Sequence, residues 1–313
     1  MNNTVFVTAL YHYTPLSRIG GRGWNLSHWK APFKNLLALD IPLVIYTQDT
    51  EAKSLEEFLK SQNFDQYEII IQDLNTYRLS DRIYQLKEQQ GIIDENGLAP
   101  GNSVEVNQRN YHLCLQKINW LSSHANNNTF NGKKYLWIDL GLFHHGLFPD
   151  SLGGQEKLIP IREETFWPHN QLSMFTPALG KGIYNICDDR FLCIQNETYP
   201  TSEAITRLAG VEQNLGYIIG GMFGGDREVI NLICDEFNRV VDNVYANGIL
   251  TLEELIFSAI YSKYPDRCNV LKFDNWYHDC PGGKHIDRCC YGIGENDKSF
   301  YRIFYNDILK NEK

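Results

Sequence analysis

The segment Lys134-Tyr-Leu-Trp-Ile-Asp139 limits the possible folds of this 313-residue chain more than any other. An unbroken apolar and aromatic run that ends in a carboxylate reads as a strand buried on both faces. Such strands belong to sheets covered by helices on either side. A carboxylate at the end of a central strand also stands where open α/β sheets collect their ligands, because strand-end loops and helix N-termini converge there.

The flanking segments agree with that frame. Residues Thr4 to Tyr11 and Pro42 to Thr47 are rich in Val, Ile, Phe, Thr and Tyr and read as strands. Between them Trp29, Phe33, Leu36 and Leu37 fall at helical spacing, so the opening is a β-α-β unit with parallel strands. Ser54 to Gln62 predicts a short helix and Tyr67 to Gln72 a third strand. Residues 73–106 are polar and read as a surface insertion with one helix near Ser80 to Gln89. Asn110 to Ser123 then carries Tyr111, Leu115, Ile118 and Leu121 as a stripe that must pack on the sheet.

After Asp139 the pattern is weaker. Residues 148–215 read as strands mixed with loops, and Tyr217 to Gly225 as a strand interrupted by two glycine pairs. Asp226 can cap a helix with Val229, Ile233, Phe237, Val240 and Val244 on one face, ended by Gly248. Thr251 and Glu254 form a Thr-x-x-Glu capping box for a further helix, which buries Leu255, Ile256, Ala259 and Ile260. The fold class expected is α/β: a mixed, mostly parallel sheet flanked by helices, as one domain over 1–313 built from halves 1–145 and 146–313.

Charge and composition exclude several functions. A formal net charge of −9 argues against a binder of nucleic-acid backbones, which presents a strongly basic face. It leaves room for an anionic small substrate, since a few basic groups in a cleft set the local field. No stretch approaches the roughly 20 apolar residues that span a bilayer. The start lacks the basic and apolar regions of a secretory signal, so the expected location is cytoplasmic and the eight cysteines are expected as thiols. Cys114, Cys187, Cys193 and Cys234 sit in apolar contexts and read as core residues. The late cluster Cys280, Cys289, Cys290, His278 and His285 lacks the paired short spacings of structural zinc, although a zinc-stabilised interaction module is one reading of it.

Two segments carry candidate chemistry. Asp139 either makes a turn with Gly141 or faces a ligand at the end of the central strand. The pairs Gly220-Gly221 and Gly224-Gly225 either bend a strand or let backbone approach a ligand closely. The helix after them opens with Glu253 and Glu254.

The motifs TALYHY, Gly21-Arg22, LVIYT, KYLWIDLG, IIGGMFGG and TLEELIFSAIYSKYPD, in that order, resemble the HtrL/YibB group of sugar transferases. The GGMFGG segment and the helix that follows also resemble the acceptor side of blood-group-type galactosyltransferases, which share the GT-A fold. The resemblance implies a nucleotide-sugar donor, a UDP-sugar first of all, held in the first half of the chain. It implies a glycan or other hydroxyl-bearing acceptor in the second half. Donor contacts then fall on Thr8, Ala9, Tyr11, Arg22, Arg109, Lys117, Asp139 and Gly141, and the sugar wall on Gly220, Gly221, Gly224 and Gly225. A divalent cation, Mn²⁺ or Mg²⁺, is implied at Asp139 with His278 as a late-chain ligand. The chain departs from the Asp-x-Asp pattern here, because Asp139-Leu140-Gly141 supplies one carboxylate.

Departure of a nucleoside diphosphate needs a cation or guanidinium to stabilise developing charge, and Arg22, Arg109 and Lys117 are the alternatives to metal. Acceptor activation needs a carboxylate. Helical period places Glu253 nearer the buried flank, whereas the blood-group pattern points to Glu254, and both stand as candidates. The rival reading is a carbohydrate- or nucleotide-sugar-binding protein on the same fold, without turnover.

Overall fold

The computed structural model describes residues 4–11, 30, 33–34, 36–37, 40–89, 108–140, 168–177, 198–211, 218–251 and 253–273. The described strands are β1 (Thr4–Leu10), β2 (Leu43–Thr47), β3 (Tyr67–Ile71), β4 (Lys134–Ile138), β5 (Leu172–Pro177), β6 (Ile219–Gly225) and β7 (Cys268–Phe273). The helices with defined ends are α1 (Asp49–Ser61), α2 (Ser80–Gln89), α3 (Gln108–Asn127), α4 (Thr198–Ala209), α5 (Arg227–Ala246) and α6 (Glu253–Lys263).

All seven strands form one sheet in the order β3-β2-β1-β4-β6-β5-β7. Strands β3, β2, β1 and β4 run parallel, β6 runs antiparallel to both β4 and β5, and β7 returns parallel to β5. The expected mixed, mostly parallel α/β architecture is therefore the one observed. Strand β4 lies fourth of seven, and all five of its residues are buried. The sheet changes direction on its β6 side. Strands from both halves of the chain share this sheet.

Sequence pattern accounts for most elements. In α3 the stripe Tyr111, Leu115, Ile118 and Leu121 is buried, as is the α5 stripe Val229, Ile233, Phe237, Val240 and Val244. Each such aliphatic or aromatic side chain contributes roughly 1.5–3 kcal/mol when taken out of water. Between β1 and β2, Phe33, Leu36 and Leu37 are helical and buried. Asp226 caps α5 as expected, accepting from the Val229 amide at 3.2 Å. At the other end Gly248 takes φ 78°, the left-handed conformation that stops a helix.

The differences have local causes. Helix α1 starts at Asp49 rather than Ser54, with Asp49 and Glu51 favourably placed in its first turn. Helix α3 runs from Gln108 to Asn127, longer than its apolar stripe, because the polar ends satisfy the period only partly. In the middle region, read as strands and loops, α4 opens on Thr-Tyr-Pro; proline is tolerated in a first turn but masks the helical pattern in sequence. Strand β7, at the sheet edge, has no counterpart in the sequence reading, because Asn269 and Lys272 interrupt its apolar residues.

The core of the sheet contains a continuous aromatic contact path. Tyr46 stacks on Trp120 (4.8 Å between ring centroids), Trp120 on Trp137 (5.9 Å), and Trp137 on Phe223 (6.4 Å). Phe223 then meets Phe257 of α6 at 4.8 Å. Aromatic pairs at these separations are favourable beyond their buried area. The path fixes α3, β4, β6 and α6 relative to one another, and these four elements supply the candidate site.

Candidate functional site

Asp139 is the first residue beyond β4. Its amide donates to the Gly221 carbonyl at 2.8 Å, which carries the β4–β6 pairing one step past the strand. On the other side the Thr8 hydroxyl donates to the Ile138 carbonyl at 2.6 Å. The backbone that presents Asp139 is thus held by both neighbouring strands.

The carboxylate is held as firmly. Oδ1 accepts from the Trp137 indole at 2.7 Å, and Oδ2 accepts from Lys117 Nζ at 2.9 Å. Trp137 reaches it because residues two apart on a strand share a face. Lys117 comes from α3 and also donates to Glu253 Oε1 at 2.7 Å and to the Gly220 carbonyl at 3.2 Å. Its ammonium lies 5.9 Å from the Trp137 ring centroid, within cation–π range. The side chains of Lys117 and Glu253 are 4% and 2% exposed, and that of Asp139 is 18% exposed. Asp139 is the most exposed of the three side chains.

Electrostatics follow from that burial. Two carboxylates around one ammonium leave a formal excess of one negative charge. Burial pushes the Asp139 carboxyl above its ordinary value and the charge of Glu253 adds to this, while Lys117 and the Trp137 indole pull it down. Cys114 lies one helical turn before Lys117. Burial holds its thiol well up, as does the nearby Glu253 charge, which keeps it protonated and disqualifies it as a nucleophile.

Gly220 explains how Glu253 fits. A Cβ at Gly220 would overlap Glu253, standing 2.6 Å from its Cγ and 2.7 Å from its Cδ. With Oε1 bonded to Lys117, Glu253 Oε2 is buried and has no hydrogen-bond partner among the described residues. Leaving an acceptor in that state costs free energy unless a ligand supplies the donor. Ser258, further along α6, accepts from the Ile218 amide at 3.0 Å and donates to the Glu254 carbonyl at 2.8 Å, tying the start of α6 to the entry of β6.

The sequence candidates separate into groups. Lys117, Asp139, Gly220, Gly221 and Glu253 come together. Glu254 follows Glu253 in the first turn of α6 and is half-buried. Gly224 and Gly225 pair with Leu136 and Tyr135, toward the other end of β4. There a Cβ on Gly224 would strike the Tyr135 carbonyl, so close strand packing requires that glycine. Thr8 is fully buried and stitches β1 to β4, while Ala9 is half-buried at the end of β1. Tyr11 is only 3% exposed, with its ring stacked on Trp120 at 5.8 Å and its hydroxyl donating to the Gln72 carbonyl at 3.1 Å. Arg109 lies in the first turn of α3, its side chain outside the described residues. Arg22, Gly141 and His278 also lie outside them, as do Cys280, His285, Cys289 and Cys290.

A divalent cation was expected at Asp139. Hard cations take several oxygen ligands. Here both Asp139 oxygens already accept hydrogen bonds, one of them from a cation, and Glu253 Oε1 is engaged by the same ammonium. No group of three or more His, Cys, Asp or Glu side chains that could hold a metal occurs among the described residues. By themselves the described residues do not fit a divalent cation. Trp137 is the contributor that sequence reasoning missed, and its only signal was its position two residues before Asp139.

No family model and no curated protein matches the chain. Among solved structures it is similar to mouse xyloside xylosyltransferase 1 in its apo form, at 10% identity over 92% of this chain and 93% of that one, with a TM-score of 0.43. It is also similar to 4-diphosphocytidyl-2C-methyl-D-erythritol synthase from Anaerococcus prevotii, at 7% identity over 86% of each chain, with a TM-score of 0.35. The HtrL/YibB resemblance stands on the sequence motifs alone.

Proposed function

We propose that this chain is a glycosyltransferase that moves a sugar from a nucleotide-sugar donor, a UDP-sugar first of all, to a hydroxyl of a glycan or similar acceptor. The observation that carries the proposal is the convergence of Asp139 and Glu253, from the two halves of the chain, on the single ammonium of Lys117. It occurs at the carboxyl end of the central strand, where the sheet changes direction.

In this reading Asp139, the partly exposed member, accepts hydrogen bonds from donor hydroxyls, and its two fixed bonds preset its orientation. Glu253 Oε2 accepts the proton of the acceptor hydroxyl. The acceptor's hydroxyl oxygen forms its bond to the anomeric carbon as the bond from that carbon to the diphosphate breaks and the nucleoside diphosphate departs. The Asp139–Lys117–Glu253 linkage sets the distance between the donor and acceptor positions.

The rival without turnover draws on the same geometry, since a carboxylate already paired with Lys117 could serve binding alone. A thermal-shift screen of nucleoside diphosphates and their sugars, followed by a donor-hydrolysis assay on each stabilising ligand, separates the two. The proposal expects stabilisation by a nucleotide sugar and turnover that is lost in Asp139→Asn with the fold retained. Full activity in Asp139→Asn would sink it. Binding with no turnover under any condition would favour the rival.

A further inference from the structure

We propose that Gly220 and Lys117 form a socket that seats the Glu253 carboxylate, and that both act on transfer through Glu253 without touching the donor. The inference rests on the proposed function only for the reaction that Glu253 serves.

The socket has two walls. On one, Lys117 Nζ has three N–H groups and, among the described residues, three acceptors: Asp139 Oδ2, Glu253 Oε1 and the Gly220 carbonyl. That set uses every donor of the ammonium, and none remains for a phosphate. On the other, Gly220 lies against the Glu253 side chain at a separation that excludes any Cβ. The two walls are joined, because the Gly220 carbonyl is itself a Lys117 acceptor. Seated this way, Glu253 commits Oε1 and turns Oε2 into its one oxygen without a partner among the described residues. A base must hold its reactive oxygen to a fraction of an ångström, and a side chain with three rotatable bonds needs a mould to do so.

This assignment separates Lys117 from the donor-phosphate role its charge suggests, and Gly220 from the sugar-wall role its lack of a side chain suggests. Both become positioning residues. The prediction is epistasis with Glu253 rather than weaker donor binding.

The test measures kcat and donor KM in Gly220→Ala, Lys117→Met, Glu253→Gln and the Gly220→Ala/Glu253→Gln double variant, with the Kd of uridine diphosphate as the binding probe. The socket predicts at least a tenfold loss of kcat in each single variant, a Kd within about twofold of the parent, and no further loss in the double variant. A tenfold weaker Kd in Gly220→Ala or Lys117→Met with kcat retained overturns it, as does an additional tenfold loss on top of Glu253→Gln. If Lys117→Met does not fold, Gly220→Ala carries the test alone. Should the parent neither bind nor turn over any donor, the functional reading fails but the socket can still be judged by thermal unfolding. Gly220→Ala should then lower Tm by at least about 3 °C, and by less than half as much when Glu253→Ala removes the obstructing carboxylate. Equal shifts in the two backgrounds overturn the socket.

Discussion

Lys117 on α3 and Glu253 on α6, 136 positions apart in the chain, are joined by a 2.7 Å ion pair in which neither side chain is more than 4% exposed. A charge taken that far from water is tolerated only when its partners are fixed, and here the partners among the described residues include two carboxylates and a backbone carbonyl. The pair ties the first half of the chain to the second at the point where Asp139 emerges.

Removing one partner of such a pair leaves the others buried and uncompensated. Lys117→Met should therefore lower unfolding stability by about 3–5 kcal/mol, measured by urea denaturation. The double variant Lys117→Met/Glu253→Leu should be less destabilised than the sum of the two single variants, because it removes one of the stranded carboxylates. Strict additivity would show that the ion pair contributes nothing.

The capping carboxylate Asp226 makes a prediction with a defined pH window. Burial raises its carboxyl, but the Asn170 and Val229 amides, His169 and Lys134 outweigh it and hold the group below its ordinary value. A folded-state value below the unfolded one stabilises the protein above the ordinary carboxylate range and is lost as pH falls through the folded value. Asp226→Ala should cost about 0.5–2 kcal/mol at neutral pH. The gap between parent and variant should close as pH drops below about 4. A gap that is constant with pH would mean the cap acts through geometry alone.

How much of this could be read in the sequence depends on the range of the interaction. The apolar run before Asp139, the stripes of α3 and α5, the Asp226 cap and the Gly248 stop are local patterns, and the chain folds as they predict. Helical period also placed Glu253 nearer the buried flank than Glu254, and Glu253 is the one that reaches Lys117. What was not legible is tertiary. A lysine on a helix reads as solvated, and nothing local shows that Lys117 has two carboxylate partners. The two glycine pairs look alike in sequence, yet Gly220 makes room for a side chain and Gly224 for a neighbouring strand. Trp137 reads as core, and it is; that its indole N–H also orients Asp139 follows only from the shared strand face.

His124 predicts a separate acid sensitivity. It is fully buried at the end of α3 against Phe130 and Tyr135, and neither ring nitrogen has a hydrogen-bond partner among the described residues. Burial holds the imidazole below its ordinary value, while the Glu68 carboxylate, 3.6 Å away, pulls the other way. With the folded value below the unfolded one, the unfolded chain binds the proton first. Stability is then lost as pH falls from about 6.5 toward the folded value. Denaturation midpoints of the parent should decline across that window, and His124→Leu should flatten the decline. Parallel pH profiles for the two proteins would show that His124 is not the group responsible.

Divalent cations provide the last prediction. The described oxygens at Asp139 amount to one carboxylate whose two atoms are already engaged, beside an ammonium 2.9 Å away. A cation that prefers six or more oxygen ligands cannot complete its shell from that set. The diphosphate of a bound donor would bring oxygens of its own and enough negative charge to offset Lys117. Mn²⁺ added to the free protein should therefore leave Tm unchanged, and it should raise Tm only when uridine diphosphate is present. Thermal unfolding with and without the nucleotide, each with chelator and with Mn²⁺, checks this. A rise with Mn²⁺ alone would show that residues outside the described part complete a protein-borne site. No rise in either case would leave leaving-group charge to basic side chains, with Arg22 and Arg109 as the first to substitute.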